Sequence, residues 1–285
     1  MAKQKVPWQA ILILTTSIAF LTFRNIQTRK NKLYQITFAT RPHPVLTRLV
    51  DRVHSFGEDI HVLGLQENRD IGWRSGKRNF GIKLRELATF IQNPFLQPND
   101  ILLVSDAYDV AMIRPQHEIR RRYEALFTKP IVFGAESNCH PDANLAVQYG
   151  YHSPSELFPF LNSGLFIGRV WAIQECMKGY QYKDEESDQH YWTKQYLKRR
   201  DLIELDTGAK LFLNCHNIGQ KDIVYDTYTE SVYFKPYGTY PLFVHANGTD
   251  RSYLYPILGR WTEPAIKKIE NSFSDSTDND NETKF

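Results

Sequence analysis

The chain has 285 residues, 42% of them hydrophobic and 24% charged, with a formal net charge of +3. That length holds one large domain or two small ones, and the apolar content suits a buried core. So small a net charge makes no case for nucleic acid, and Arg120-Arg121-Arg122 and Arg199-Arg200 read as solvated helix faces.

From Val6 to Phe23 no residue is charged, and Ile, Leu, Ala, Phe and Thr predominate. A membrane span needs about 20 apolar residues, so this hydrophobic helix reads as an anchor with snorkelling ends. A signal peptide is the rival reading; the absence of a small-x-small cleavage pattern favours an uncleaved anchor. Lys3 and Lys5 before it and Arg24, Arg29, Lys30 and Lys32 after it do not fix its orientation. Residues 1–32 are thus read as anchor or signal segment plus basic linker, 33–265 as the folded domain and 266–285 as a disordered Ser/Asp/Asn/Thr-rich tail.

Within the domain, Tyr34–Thr40 is β-rich, a helical pattern covers 44–56, and Ile60–Gly64 reads as a second strand. An amphipathic helix over 79–92 closes at Asn93-Pro94. Ile101-Leu-Leu-Val-Ser105 is a continuous apolar run, the pattern of a central strand buried on both faces. Pro115 opens a helix running to about Phe127, and Pro130–Gly134 is the next strand. Helices are expected at 169–178 and 188–199, with short strands near 202–205, 210–213, 223–225, 231–235 and 241–245. Strands alternating with helices indicate an α/β fold with a mainly parallel sheet.

The chemistry gathers in four places. Asp106-Ala-Tyr-Asp109 follows the buried strand directly, where open α/β sheets bind ligands. Two carboxylates on one tight turn can converge on a hard cation, Mn²⁺ or Mg²⁺, that also takes substrate phosphates. In Phe243-Val-His245-Ala-Asn247-Gly248 an apolar strand ends in a histidine suited to be a third ligand, and the small residues after it let backbone N–H groups approach a phosphate. Asn247-Gly248-Thr249 is also a glycosylation sequon, read as incidental because a glycan would block a cleft. In Asp184-Glu-Glu-Ser-Asp188, Ser187 or Asp188 caps the following helix, while the functional reading makes Asp188 an acceptor-side base or a residue holding the donor sugar. Asn162-Ser163-Gly164 between apolar runs reads as a turn or a close backbone approach to substrate. Cys139, Cys176 and Cys215 form no CxxC pair, so zinc is not expected; the odd count leaves one thiol free and one disulfide open.

These pieces, in this order, resemble the glycosyltransferase domain of the multifunctional procollagen lysyl hydroxylases, from about Ile36 to Trp261. The resemblance is carried by Leu63-Gly-Leu65, Gly81-Ile-Lys83, Val104–Asp109, Phe133-Gly-Ala-Glu136, Cys139, Leu161-Asn-Ser-Gly164, Tyr182-Lys-Asp184, Asp188-Gln189 and His245-Ala-Asn-Gly248. It implies a GT-A-type, Rossmann-like mixed sheet flanked by helices, UDP-sugar donors and Mn²⁺. It implies Asp106, Asp109 and His245 as metal ligands, and Thr40, Lys83, Tyr108, Asn247 and Gly248 as donor contacts. Asp188 and Asn162 are the implied catalytic residues. The acceptors it implies are hydroxylysine and galactosyl-hydroxylysine in collagen, reached in the lumen of the secretory pathway. Three departures bear on the acceptor side: Ser187 stands where the family has an aspartate, His140 where it has a tryptophan, and Leu165 where it has a glycine.

The expected function is transfer of glucose or galactose from a UDP-sugar to a hydroxyl. The alternatives are a UDP-sugar-binding module without turnover, and a phosphohydrolase using the same carboxylates.

Overall fold

Alternation of burial along one strand explains how the domain is layered. In Ile101–Asp106 (β3) the first five residues are buried. Leu102 and Val104 join one core cluster, and Ile101 and Leu103 join the other, because successive strand side chains point to opposite faces. β3 is therefore a central strand with packing on both sides. The structure, a computed structural model, describes residues 29–72, 79–150 and 155–258, and the domain is one compact unit from Leu33 onward.

In chain order the domain runs β1 (Leu33–Phe38), α1 (Pro44–Ser55), β2 (Ile60–Leu63), α2 (Gly81–Phe90), β3, β4 (Val110–Met112) and α3 (Gln116–Leu126). Then come β5 (Ile131–Glu136), α4 (Ala146–Tyr149), β6 (Phe160–Arg169), α5 (Val170–Cys176) and α6 (Asp188–Lys198). The short strands β7 (Ile203–Asp206), β8 (Phe212–Asn214), β9 (Ile223–Asp226), β10 (Ser231–Phe234) and β11 (Phe243–His245) complete it. Most elements fall within a few residues of their places in the sequence reading; β4, α4 and β6 had no place in it. Pro44 sits in the first turn of α1, where its missing N–H costs nothing, and His43 caps that turn by accepting from the Val45 N–H.

The main sheet has strand order β2-β1-β3-β6-β5-β7. β1 is parallel to β2 and β3, and β5 is parallel to β7. β6 is antiparallel to both of its neighbours, so the sheet is mainly parallel with one reversed strand, the mixed sheet that the resemblance implied. The expected turn at Asn162-Ser163-Gly164 is corrected here: these residues lie inside the continuous strand β6, all buried. The turn chemistry of Asn, Ser and Gly is instead spent on a register shift opposite Phe133 and Gly134 of β5. A three-stranded sheet, β4-β11-β8, sits beside the carboxyl end of β3.

One core cluster packs Leu84 and Leu87 of α2 and Trp192 of α6 against the sheet. Phe133 and Phe166 stack at 4.5 Å and lie 5.1 and 5.4 Å from the Trp192 ring. The other cluster packs Leu49 and Val53 of α1, Ile119 and Tyr123 of α3, and Met112 and Phe243 of the small sheet. Among the described residues no helix is long and apolar enough to cross a membrane. The anchor reading for residues 6–23 and the tail reading for 266–285 lie outside the described residues.

Candidate metal and donor-binding site

β3 ends in Asp106, the chain turns through Ala107-Tyr108-Asp109, and β4 leaves antiparallel to β11 with Val110 opposite His245. The Ala246 N–H donates to the Asp109 carbonyl at 2.9 Å, which fixes the turn to the end of β11. His245 Nε2 then stands 3.7 Å from Asp106 Oδ2 and 3.4 Å from Asp109 Oδ1. One ligand atom from each of the three lies within 4.8 Å of the others. An ion with metal–ligand bonds near ~2.1 Å holds adjacent ligands roughly 3 Å apart, so this set closes on a cation with small side-chain movements.

The histidine is pre-oriented for that role. Asn214 Nδ2 donates to the Ala135 carbonyl, so Asn214 Oδ1 is left to accept from His245 Nδ1–H at 2.8 Å. This contact keeps a proton on Nδ1 and leaves Nε2 as the atom turned to the two carboxylates and open to a metal, the arrangement by which outer partners orient a ligand. Gly164 makes the space: a Cβ there would stand 2.3 Å from His245 Cε1 and 2.9 Å from Asp106 Oδ2. The donor set of two carboxylates and one imidazole suits Mn²⁺ or a similar divalent ion.

Two cations flank the group. Lys83 Nζ lies 2.6 Å from Asp106 Oδ1 and 3.3 Å from Asp188 Oδ2, and Arg251 Nη1 lies 2.8 Å from Asp109 Oδ2. Burial works against the Lys83 charge, but Asp106 and Asp188 outweigh it and raise its pKa. Burial pushes the Asp106 carboxyl up against the pull of Lys83. Burial also works to raise Asp109, yet Arg251 and His245 together hold it well below the usual carboxylate range. Asp188, 5% exposed, opens α6 and accepts from Ser163 Oγ at 3.0 Å. Ser187 is the cap, its Oγ accepting from the His190 N–H, so of the two capping readings Ser187 takes the cap and Asp188 faces the cleft.

These residues wall a cleft of about 320 Å³ whose other half is built around Glu136. Asn162 Nδ2, Gln189 Nε2 and Asn247 Nδ2 all donate to the Glu136 carboxylate, at 2.9, 2.6 and 3.0 Å. Burial pushes its carboxyl up, against hydrogen bonds from Asn162 and Gln189 that favour the charged form. Asn138, His140 and His216 complete this wall. Asn247 also accepts from the His216 N–H, so the sequon's amide is engaged inside the cleft. Gly248 has φ +101 and backs onto His216.

Of the ten candidate site residues, eight line this cleft: Lys83, Asp106, Asp109, Asn162, Asp188, His245, Asn247 and Gly248. Thr40 and Tyr108 lie outside its walls and form an adjoining corner. Tyr108 OH accepts from the Thr40 and Arg41 N–H groups at 2.8 and 3.1 Å, and its ring lies 5.0 Å from that of His43. Burial lowers the His43 pKa to about 4, which keeps the ring neutral. Sequence reasoning did not assign roles to Glu136, Gln189, Asn214 or Arg251. A signal existed for Asn214: Phe212-Leu-Asn214 and Phe243-Val-His245 are matching apolar-apolar-polar triplets, and they pair in register. The three cysteines are free thiols, so the open disulfide is not formed. Arg120 pairs with Glu124 in keeping with a solvated helix face, whereas Arg122 pairs with Glu118 and also donates to the Lys210 and Tyr240 carbonyls, tying α3 to the chain ahead of β8 and β11.

Residues 29–270 match the family described as the PLOD GT domain. A multifunctional procollagen lysine hydroxylase and glycosyltransferase of Caenorhabditis elegans is 32% identical over 230 residues, covering 78% of this chain and 31% of the relative. A procollagen-lysine,2-oxoglutarate 5-dioxygenase of Drosophila melanogaster is 31% identical over 232 residues, again 78% of this chain and 31% of the relative. The chain thus spans about a third of the length of the curated relatives it matches. Among solved structures, mouse xyloside xylosyltransferase 1 aligns over 76% of this chain and 97% of its own, at 11% identity and a TM-score of 0.44, too loose a likeness to add to the assignment. With a family match over most of its length and relatives above 30% identity, the chain belongs to the PLOD GT-domain family.

Proposed function

We propose that the domain over residues 33–265 transfers glucose or galactose from a UDP-sugar to a hydroxyl group, with Mn²⁺ held by Asp106, Asp109 and His245. The observation that carries this reading is the convergence of those three side chains beside Lys83 and Arg251 at the end of a central strand. When bound, the ion supplies Lewis-acid stabilisation of the departing diphosphate. Lys83 and Arg251 face the same diphosphate and add fixed positive charge where its negative charge develops. Gly248 and Asn247 bring backbone N–H groups to the phosphates. Thr40 and Tyr108 hold the nucleoside end in the corner against His43. Asp188 and Asn162, on the far side of the ligand set, orient the donor sugar and the acceptor hydroxyl.

For the acceptor, the names of the relatives speak of procollagen lysine; the family resemblance extends this to hydroxylysine or galactosyl-hydroxylysine in a collagen-like protein of the secretory pathway, with residues 1–32 serving as anchor or signal. The test is release of UDP from UDP-glucose and UDP-galactose with Mn²⁺, with and without a collagen-like peptide. Turnover is expected with at least one donor, and Asp109→Ala lowers it by about 10²–10³-fold, the weight of several kcal/mol of charge stabilisation. Unchanged turnover in Asp109→Ala removes the metal assignment. The reading as a binding module without turnover rests on Ser187 and His140; any turnover excludes it.

A further inference from the structure

The loop that delivers Asp188 to the cleft is held from outside by one arginine. Arg69 follows the short helical turn Leu65–Glu67 after β2. Its Nη1 and Nη2 donate to Asp184 Oδ2 and Oδ1, both at 2.7 Å, and its Nε donates to Glu67 at 2.9 Å. Tyr182 OH donates to Asp184 Oδ1 as well, and the Arg85 guanidinium lies 5.1 Å over the Tyr182 ring. A planar fork gripping a carboxylate with two parallel bonds fixes orientation as well as distance.

Asp184 is the junction of two functional helices. Its backbone carbonyl accepts the Gly81 N–H at 3.0 Å, two residues before Lys83 in the first turn of α2. On its other side the chain turns through a Glu186 N–H to Lys183 carbonyl bond and reaches the Ser187 cap, with Asp188 next. Inside the cleft, Lys83 and Asp188 meet at 3.3 Å. The Arg69–Asp184 fork therefore lies on the shared support of both partners of that contact, while touching neither. Its side chains are 37% and 40% exposed, so in stability terms it is a surface pair of small weight.

From this we propose that Arg69 is a positioning residue for the transfer reaction, acting through Asp184 to set the distance between Lys83 and Asp188. This rests on the proposed transferase activity. In Arg69→Ala the loop loses its clamp and Asp188 drifts; displacements of about 1 Å near reacting groups cost up to about 100-fold. The expected result is a kcat about tenfold lower, a donor KM within about twofold of wild type and an unshifted melting temperature. Arg69→Lys, which keeps the charge and loses the fork, recovers part of the kcat. Asp184→Ala gives the same loss as Arg69→Ala, and the double variant loses no more than either, since both remove one interaction.

Hydrogen exchange separates this proposal from the activity on which it rests. If the wild type itself shows no turnover, the activity is refuted, while faster exchange over residues 185–190 in Arg69→Ala still supports the positioning. Wild-type kcat in Arg69→Ala, additive losses in the double variant, or unchanged exchange over 185–190 overturns it.

Discussion

The two halves of the cleft are built on different physical terms. The metal half is a balance of full charges: Asp106, Asp109 and Asp188 against Lys83 and Arg251, with His245 between them. The Glu136 half is a net of neutral amides and imidazoles around one buried carboxylate. Under the proposed function the first half is completed by an incoming dication and receives the diphosphate. The second is already satisfied by its own hydrogen bonds and presents amide and imidazole edges suited to sugar hydroxyls. On that reading charge sets where the phosphates go, and a preformed hydrogen-bond lattice sets what else fits.

The largest way to break the metal half leaves every charge in place. Gly164→Ala puts a methyl group onto His245 and Asp106. Mn²⁺ affinity, measured by titration calorimetry, is expected to fall by at least about 100-fold. The melting temperature should drop by an amount corresponding to about 1–3 kcal/mol of overpacking. Asn214→Ala acts next in size. It frees the His245 tautomer and should weaken Mn²⁺ binding by about 10–100-fold, with the Glu136 half intact. Equal Mn²⁺ affinity in wild type and Asn214→Ala contradicts the assigned tautomer.

The Glu136 half is sharpened by pH. Because burial raises this carboxyl, the native state binds its proton more tightly than the unfolded chain does. Its stabilising share is full below the ordinary glutamate value and is lost as pH rises through the raised folded value. Stability curves of wild type and Glu136→Gln should therefore diverge in slope just above the ordinary glutamate range; parallel curves refute the buried ionisation. The smallest effect belongs to Ser187. Ser187→Ala should cost about 1 kcal/mol as a lost cap, read from the denaturant midpoint, and Ser187→Asp should keep it. An unchanged midpoint in Ser187→Ala means the cap is not needed.

Much of the fold and of the metal half was readable because both rest on patterns. β3 and the helices showed themselves through runs and periodicity, and Asp106, Asp109 and His245 stand at the ends of apolar strands. β6 was misread because Asn162, Ser163 and Gly164 carry the composition of a turn; in the fold they are polar or small because they floor the cleft, and Gly164 is small to admit His245. Glu136, Gln189 and Arg251 each lack a local pattern. They matter through partners distant in sequence, as Glu136 does through Asn162, Gln189 and Asn247, and such pairings exist only once the sheet has closed. The departures at Ser187 and His140 were visible as letters. The cap at Ser187 was one of two readings the letters offered, and it forms; the bond from the Gln189 side chain to the His140 carbonyl was not visible.

The pairing of Val110 with His245 has a consequence for how the protein matures. Asp106 and Asp109 are made early in the chain, but their third partner arrives on the last strand of the domain, and joining them closes a long loop, the slow kind of contact in folding. During synthesis the two aspartates stand ready without a site, and under the proposed function a cation captured by all three ligands marks a chain whose β11 has docked. Metal retention on a chelating gel filtration step can therefore serve as an assay of finished folding, distinguishing mature molecules from compact but incomplete ones before any substrate is added.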